Sequence, residues 1–565
     1  MKNQIDIWLL GNTGMRNPWR IQGGFKVYYE SNQVGKIRTP EEQLAFKKLL
    51  YSSGEIGGSA DKDQSASITR KYRLMFNRYG FAYPEIKKSY GFSQLDIGQL
   101  DTITPLGEMF YEADTVSKQQ DCFLRAMSVP MYDYAPGHAF SPLLWVISIM
   151  FALKDQTGSY KIDAGEFALF VQTSTPAIPI KKVVNTILAY RNARASSESK
   201  KEFDKQQLDK VALHYPKDKN NFAQYSDMNI RYLIISGLIK HDGRGITLVE
   251  EREPLAAELL GGLTSTESLK ERIVKLCSGV TLPTDTVEVA NKVLMEEIAQ
   301  LQALHIPITV PRDIKTMSAK RINEYRERIK YEVDKFKEEV YARKQRNQWE
   351  EILEYMNLLV SGNYKKKELD EDHVIHVPQD EASSYLEWIM WRAFLAIDHS
   401  ISKPYESRGF KLDQDYLPAG HAPGGKPDIV FEFENYVIVI EVTLSSNSRQ
   451  EAMEGEPVRR HVADVTTQYN KPVYGLFIAN TIDSNTADTF YKGTWYLPGD
   501  RRVELDIVPL TLQQFSYFFK HIFVVQEVHP DRIIELFRLC LAAKQNRSAA
   551  EWKARIGDII SEECA

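Results

Sequence analysis

Two neighbouring apolar stretches in the last third of the chain constrain its fold most strongly. Asp428–Phe433 and Tyr436–Thr443 have the composition of β-strands, and only Glu434-Asn435 separates them. Because Asn tolerates positive φ, the pair predicts a tight hairpin in which Asp428 lies opposite Glu441. Opposed residues share one face of a sheet, with Cβ atoms about 5 Å apart. The register therefore predicts two carboxylates side by side at the end of this strand pair.

The elements around the hairpin indicate an α/β domain with a mixed central sheet. An aromatic helix is predicted at Tyr385–Ala396, a polar helical stretch at Ser448–Tyr469, and a third strand at Val473–Ala479. A chain of 565 residues is several times the length of a typical domain. We therefore predict a multidomain α/β plus α protein. Its segments are 1–130 (winged helix), 131–255 (second winged-helix-like domain), 256–375 (helical linker) and 376–565 (the α/β domain).

The winged-helix prediction depends on short patterns in the first two segments. Helices are expected at Glu41–Tyr51 and Ser67–Tyr79, followed by strands at Leu95–Ile97 and Thr102-Ile103 and by a helix that Thr104-Pro105 begins. In the second segment, Ile239–Leu248 predicts a hairpin with a Gly-rich tip. The alternative is a compact helical domain with an incidental hairpin.

The basic helix predicted at Ser67–Tyr79 makes double-stranded DNA a candidate partner, although the net charge of the whole chain is -5. Whole-chain charge bears on solubility, whereas a local basic face can still follow phosphates. Base reading requires Arg, Lys, Asn or Gln side chains in the major groove. The candidate DNA contacts are Arg70, Lys71, Arg73, Asn77 and Arg78 on this helix and Arg244 at the hairpin tip. The alternative is an ordinary solvated helix.

Cysteine usage and hydropathy bear on the compartment. The four cysteines lie far apart without a CxxC pair, which predicts neither a zinc knuckle nor a disulfide framework. A reducing, cytoplasmic compartment fits this pattern best. The apolar run Phe140–Leu153 is too short to span a bilayer, so no membrane role is expected.

The paired carboxylates predict metal-assisted chemistry. Asp428 and Glu441 would repel each other unless a cation lay between them, and oxygen ligands suit Mg²⁺. Such an ion can polarise a scissile phosphate and activate water for attack. Glu454 and His461, seven residues apart, would share one helix face, and Glu387 lies on the aromatic helix. The alternatives are a strand-edge acid pair, a surface histidine and a glutamate placed by burial alone.

Pro427-Asp428 followed by Glu441-Val442-Thr443 resembles the PD-(D/E)xK nuclease motif, with Thr443 in the place of the lysine. Several stretches further resemble the AlwI-like family of type IIS restriction endonucleases, which includes site-specific nicking enzymes. The matching stretches are Leu386–Trp388, His421–Asp428, Glu441–Thr443, Met453–His461 and Gly475–Ala479, and more weakly Thr69-Arg70, Tyr79–Phe81 and Ile103–Gly107.

The resemblance implies an enzyme that reads an asymmetric DNA sequence through N-terminal winged helices and cuts a few base pairs away with Mg²⁺. Asp428 and Glu441 would bind the metal. Glu387 and Glu454 would be supporting acids, and His461 a catalytic or phosphate-facing residue. Lys426 and His461 are candidates for the work of the missing lysine.

One such site hydrolyses one strand, so a double-strand cut implies a transient second copy of the chain or a separate small nuclease subunit. A cognate DNA methyltransferase is a further implied partner. The alternatives are a strand-specific nicking enzyme, the large subunit of a heterodimeric enzyme, a non-catalytic DNA-binding regulator and a recombination protein with a resolvase-like nuclease domain.

Overall fold

The computed structural model describes residues 7–56, 65–215, 220–303, 305–311, 313–364, 366–370, 373–446 and 449–565. Backbone contacts divide the chain into two compact units, Met1–Lys330 and Tyr331–Ala565. The boundary falls inside the helix Ala319–Lys344, within the segment predicted to be a linker. The four-segment division predicted from the sequence remains a prediction.

Helices dominate the first unit. They are α1 (Arg20–Tyr29), α2 (Pro40–Ser52), α3 (Ser67–Arg78), α4 (Pro105–Tyr111), α5 (Val116–Ser128), α6 (Pro142–Thr157), α7 (Ala164–Glu166), α8 (Ile180–Ala195), α9 (Lys200–Ala212), α10 (Asn220–Ile234), α11 (Glu253–Leu259), α12 (Leu269–Cys277), α13 (Val287–Ala303) and α14 (Ala319–Lys344). A π-helical turn, Phe167–Val171, continues α7. The unit's core contains a dense aromatic cluster in which Phe25, Phe76 and Phe81 are fully buried.

Short strands form two three-stranded sheets in the described part of this unit. One sheet pairs β1 (Tyr132–Ala135), β2 (His138–Phe140) and β6 (Thr264–Ser265) in that order. The other contains β3 (Ile162–Asp163), β4 (Ile239–Asp242) and β5 (Gly245–Leu248), in the order β3-β5-β4. The antiparallel pair β4–β5 confirms the predicted hairpin at Ile239–Leu248.

The structure corrects one element of the winged-helix prediction. Helix α3 forms as expected, and Thr104 caps α4 by accepting a hydrogen bond from the Gly107 amide. Leu95–Ile97 is not a strand, because Gln94–Asp96 forms a 3-10 turn closed by two hydrogen bonds from Ser93 to the Asp96 carboxylate. The antiparallel bridge joins Ala82 to Ile103 instead. The winged-helix assignment itself remains a prediction.

The second unit is a mixed α/β structure. Its helices after α14 are α15 (Trp349–Ser361), α16 (Ala382–Ile397), α17 (Glu456–Thr466), α18 (Ser484–Lys492), α19 (Leu512–Val524), α20 (Pro530–Ala542) and α21 (Ala549–Glu563). Its strands are β7 (Lys367–Glu368), β8 (Val374–Ile375), β9 (Ile429–Glu432), β10 (Val437–Thr443), β11 (Val473–Ala479), β12 (Thr494–Leu497), β13 (Arg501–Glu504) and β14 (Asp506–Thr511). A π-helical segment, Glu451–Gly455, leads into α17, and Ser448 lies outside the described residues.

The central sheet has the strand order β14-β11-β10-β9. β10 runs parallel to β11 and antiparallel to β9, and β11 runs parallel to β14, so the predicted mixed sheet is confirmed. The pairs Val437–Glu432 and Ile440–Ile429 show the predicted hairpin register. The Phe433 amide donates to the Tyr436 carbonyl at 2.9 Å, which closes the turn at Glu434-Asn435.

Helix α16 forms the buried support of this sheet. Almost every residue from Tyr385 to Ile397 is buried, and the helix packs against β9 and β10. The Arg392 guanidinium, also buried, donates to Gln345, Gln348 and Glu351. A helix held so completely fixes the position of any polar side chain that it directs toward the strand ends.

The structure bears on the two sequence features that predict the cellular compartment, the cysteines and the apolar run. All four cysteines are free thiols and buried. The apolar run Phe140–Leu153 lies largely in α6, whose first three turns are buried in the core of the first unit. Within the described ranges, no helix combines the length and the apolarity that crossing a bilayer requires.

Candidate active site

Asp428 and Glu441 lie at neighbouring positions where the β9–β10 hairpin ends. The strand pairing ends at Ile440–Ile429, and the next pair in the same register is Glu441 with Asp428. The Val442 amide donates to the Asp428 Oδ2 atom at 3.0 Å, which holds this carboxylate against β10. The apolar residues Val437–Ile440 are fully buried, so they anchor the strand that delivers Glu441.

Helix α17 brings His461 directly against Glu441. The His461 Nδ1 atom lies 2.7 Å from the Glu441 Oε1 atom, and both side chains are buried. The Nε2 atom on the other side of the ring is also buried and has no hydrogen-bond partner among the described residues. Burial lowers the pKa of His461, which favours a neutral imidazole with its proton on Nδ1.

Glu387 on α16 holds the loop that precedes Asp428. Its Oε1 atom lies 3.0 Å from His421 Nδ1, and its Oε2 atom accepts from the Ala422 amide at 2.8 Å. The Ser384 hydroxyl lies 3.1 Å from the same His421 nitrogen. Glu387 is buried, whereas the His421 side chain is 56% exposed. A buried carboxylate therefore ties the Gly-rich segment His421–Lys426 to a rigid helix.

Glu454 and Thr443 occupy the region where the generic motif has its lysine. Burial raises the pKa of Glu454, and a side-chain hydrogen bond from Thr443 partly offsets that rise. Lys426 is exposed, and it has no ion-pair partner in the part of the chain that the structure describes. Where the generic motif has a cationic lysine, this cluster therefore has the Thr443 hydroxyl and a fourth carboxyl group, that of Glu454.

The carboxyl groups of this cluster carry more negative charge than nearby cations compensate. Burial, followed by repulsion from Glu441 and Glu387, raises the pKa of Asp428 well above its ordinary value. Burial, followed by repulsion from Glu454 and Glu387, does the same to the pKa of Glu441. Arg460 opposes this rise only in part. Buried or partly buried acids that repel one another in this way favour either a proton or a cation between them.

This donor set fits a small divalent cation held by two carboxylates. Among the described residues, no group of three or more His, Cys, Asp or Glu side chains is arranged to hold a metal ion. Mg²⁺, however, is commonly held by one or two carboxylates while water and substrate phosphate supply its remaining ligands. Asp428 and Glu441 meet that requirement by their chemistry and by their neighbouring positions.

Three of the predicted DNA contacts on α3 bind other parts of the first unit. The Arg73 Nε atom donates to both carboxylate oxygens of the buried Asp101 at 2.9 Å, and the Asn77 amide donates to Asp101 at 3.1 Å. The Arg78 guanidinium donates to the carbonyls of Leu9, Leu10 and Gly11. Through these contacts Arg73, Asn77 and Arg78 stabilise the fold of the first unit.

The other three predicted contacts lie nearer to solvent. Arg70 is exposed and donates to the Ser65 carbonyl and to the Gln43 side chain. Lys71 is partly exposed, and its side chain lies against Gly14. Arg244 is exposed in the turn between β4 and β5. A DNA-binding role for all six residues remains a prediction.

Two contacts in this cluster differ from the sequence pattern. Helical periodicity associates His461 with Glu454, whereas the hydrogen bond of His461 goes to Glu441, twenty residues away. The pattern predicts no role for His421, although His421 lies beside Glu387. The one available signal was that His421 belongs to a stretch that also matches the family pattern.

Comparisons with known proteins identify the family. A family model described as AlwI restriction endonuclease matches residues 78–518, well over half of the chain. One solved structure, the small subunit of the heterodimeric restriction endonuclease R.BspD6I, shares 20% sequence identity over 38% of this chain and 100% of its own, with a TM-score of 0.29. No curated protein matches significantly. The chain therefore belongs to the AlwI restriction endonuclease family, whose members are site-specific DNA endonucleases.

Proposed function

We propose that this protein is a Mg²⁺-dependent type IIS endonuclease that binds an asymmetric double-stranded DNA sequence through its first unit. The second unit, a PD-(D/E)xK nuclease domain in this proposal, hydrolyses phosphodiester bonds a few base pairs away. The supporting observation is the cluster of Asp428, Glu441 and His461 where the β9–β10 hairpin ends, in which Glu441 and His461 are buried and Asp428 is partly buried. Family membership indicates that the substrate is DNA, and the repulsion between the carboxylates explains why a metal ion would bind there.

The residues of the cluster have separable tasks in this proposal. Asp428 and Glu441 would hold Mg²⁺, and the ion would supply charge stabilisation at the scissile phosphate and activation of the attacking water. His461 holds the Glu441 carboxylate through Nδ1, and such supporting contacts orient a metal ligand. Its Nε2 lone pair is available to accept a proton. Glu387 holds the loop that contains Lys426 through the Ala422 amide, and the exposed Lys426 would meet a phosphate.

Cleavage of both strands requires a second active centre or a second reaction. A transient second copy of the chain is the simplest source of that centre, because one acid cluster hydrolyses one bond at a time. Strand-specific nicking, alone or as the large subunit of a heterodimeric enzyme, is the second candidate. A cognate DNA methyltransferase that protects the host sequence, and a cytoplasmic location, complete the proposal.

Supercoiled plasmid DNA tests this function directly. With Mg²⁺, the wild-type protein is expected to give discrete linear fragments whose ends lie at a fixed offset from one asymmetric sequence. Open circles without linear product would instead identify a nicking enzyme. The Asp428→Asn variant should leave the plasmid intact, whereas Asp558→Asn should behave as wild type, since Asp558 is an exposed acid on α21.

A non-catalytic DNA-binding regulator is the rival from another functional class. Thr443 in the place of the motif lysine favours it. The raised pKa values of Asp428 and Glu441 oppose it, because buried acids without a ligand destabilise a fold and have no evident use in a regulator. Sequence-selective binding with an intact plasmid in Mg²⁺ would establish the regulator and exclude the nuclease.

A further inference from the structure

The loop Pro84–Gly98 in the first unit, here called the Leu95 loop, is closed at its base by backbone pairing. The Tyr83 amide donates to the Thr102 carbonyl at 2.9 Å, and the Asp101 amide donates to the Tyr83 carbonyl at 2.9 Å. The bridge between Ala82 and Ile103 continues this pairing. The loop therefore projects from a short two-stranded stem that follows α3 directly in the chain.

Side-chain hydrogen bonds hold the loop in one conformation. The Gln94 amide donates to the carbonyls of Pro84 and Gly98 at 3.1 and 2.9 Å, and its oxygen accepts from the Ile86 amide at 3.1 Å. Asp96 accepts from Ser93 and forms an ion pair with Lys270 at 2.7 Å. These contacts fix the turn that carries Leu95, although nothing packs on that side chain.

Leu95 is the most exposed large apolar residue in the described part of the chain, with 96% of its surface accessible. Tyr90 on the same loop is also exposed, and its ring stacks on Phe92. A single exposed leucine is ordinary on a protein surface. A leucine at the tip of a hydrogen-bonded turn is less ordinary, because ordering the loop costs conformational entropy that a disordered loop would keep.

The charge of the Leu95 loop points to a polyanion. Its acids are neutralised within the unit, Glu85 by Arg38 and Arg73 and Asp96 by Lys270. Lys87 and Lys88 are exposed, and among the described residues neither has an acidic partner. The loop thus presents two cations beside an apolar tip. Minor-groove wedges have this chemistry: lysines meet phosphates while an apolar side chain enters between base pairs.

We infer that the Leu95 loop is a DNA wedge, with Leu95 entering between adjacent base pairs from the minor groove while Lys87 and Lys88 contact the flanking phosphates. This inference rests on the proposed function, since the DNA is the asymmetric sequence that the first unit binds. The wedge opens a base step, and flexible steps such as TA or CA yield at the lowest deformation energy. It thereby adds recognition by deformability to any base contacts that α3 makes.

Base-step opening is measured with a duplex oligonucleotide whose sequence is selected from a random pool by binding to the wild-type protein in EDTA. The fluorescent base 2-aminopurine is placed at successive positions, and binding is followed in EDTA, where no hydrolysis occurs. Wild type is expected to raise the fluorescence strongly at one step. Leu95→Ala should abolish this rise and weaken binding by about tenfold or more, the loss expected for one leucine side chain.

Two variants serve as controls for the wedge. Leu213→Ala removes another leucine that is 82% exposed in the same unit, and it should behave as wild type. Gln94→Glu keeps Leu95 but removes the amide that donates to Pro84 and Gly98, so it should also reduce the fluorescence rise. Because Leu95 and Leu213 are exposed, neither alanine variant should change the melting temperature.

The inference and the proposed function fail in different ways. An unchanged fluorescence rise and affinity in Leu95→Ala would overturn the wedge, even with plasmid cleavage intact. A fluorescence rise that Leu213→Ala reduces equally would also overturn it. Absence of plasmid cleavage would overturn the proposed nuclease function, whereas the binding assay, which needs no cleavage, would still support or overturn the wedge.

Discussion

The Nδ1 atom of His461 lies 2.7 Å from the Oε1 atom of Glu441, and both side chains are buried. This contact links helix α17 to strand β10 at the point where Asp428 meets Glu441. It fixes the imidazole with Nδ1 toward the carboxylate and leaves Nε2, which is also buried, without a hydrogen-bond partner among the described residues. A residue that the sequence associated with Glu454 thus positions the principal acid of the cluster.

Substitution of His461 separates its positioning task from proton transfer. His461→Ala should lower the rate of cleavage by about 10- to 100-fold, as is usual when the support of a metal ligand is lost. His461→Asn can still donate a hydrogen bond to Glu441 from a position close to Nδ1. Recovery of most of the rate in the Asn variant would assign a positioning task to His461.

Single-turnover rates across pH distinguish the two tasks further. If Nε2 accepts a proton during the reaction, both His461 variants should lose the same acidic limb of the pH–rate profile, because protonation at low pH disables a base. If His461 only positions Glu441, the Asn variant should keep the wild-type profile at a reduced rate. Equal rates for wild type and His461→Ala would contradict any role for this residue.

Neutralisation of Asp428 should stabilise the metal-free protein. Burial and the neighbouring acids raise the pKa of this carboxyl, so its charged form opposes folding. Asp428→Asn keeps an oxygen that can accept from the Val442 amide, and it should raise stability at neutral pH by about 1 kcal/mol. Calorimetry in EDTA measures this gain, with Asp558→Asn as the control. A lower melting temperature for Asp428→Asn would contradict this account of the cluster.

Stabilisation by Mg²⁺ should grow with pH. Groups whose folded pKa is raised bind more protons in the folded state, so their contribution is fully present below about pH 4 and is lost as pH rises through the folded pKa. A cation replaces those protons, and its effect is therefore larger at about pH 8 than at about pH 5. The increase in melting temperature on adding Mg²⁺ measures it at both values. An equal increase at both, or one retained in Asp428→Asn, would contradict the prediction.

Arg78 and Arg70, both on α3, should respond differently to replacement by alanine. Arg78→Ala orphans the carbonyls of Leu9, Leu10 and Gly11 and should lower the free energy of unfolding by about 2–3 kcal/mol. Arg70→Ala should leave stability almost unchanged but reduce the salt dependence of DNA binding by about one phosphate contact. Urea titration and binding at several salt concentrations provide the two readouts. A stable Arg78→Ala protein with weakened DNA binding would contradict the structural role of Arg78.

Local patterns in the sequence predicted the scaffold of the candidate site well. The turn at Glu434-Asn435 and the apolar run before Glu441 were sufficient to predict the register that brings Asp428 beside Glu441. Strand β11 begins and ends at the predicted residues, Val473 and Ala479. Hairpin register depends on neighbouring residues alone, which is why a sequence can reveal it.

Contacts between distant residues were beyond such patterns. Periodicity gave α3 a basic face, but it could not reveal that Asp101 would bind Arg73 and Asn77. The predicted association of His461 with Glu454 assumed regular α-helical spacing, whereas Glu454 lies in a π-helical segment that changes the phase. The predicted strand at Leu95 was wrong because the capping interaction of Ser93 with Asp96 outweighed a weak strand propensity.

The central claim is that Asp428 and Glu441 form the centre of metal-dependent hydrolysis. Its most direct test follows DNA binding and single-turnover cleavage of one mapped duplex by wild type, Asp428→Asn, Glu441→Gln and Asp558→Asn. We expect all four proteins to bind the duplex, whereas only wild type and Asp558→Asn should cut it, and only with Mg²⁺. Cleavage at the wild-type rate by Asp428→Asn or Glu441→Gln would contradict the claim.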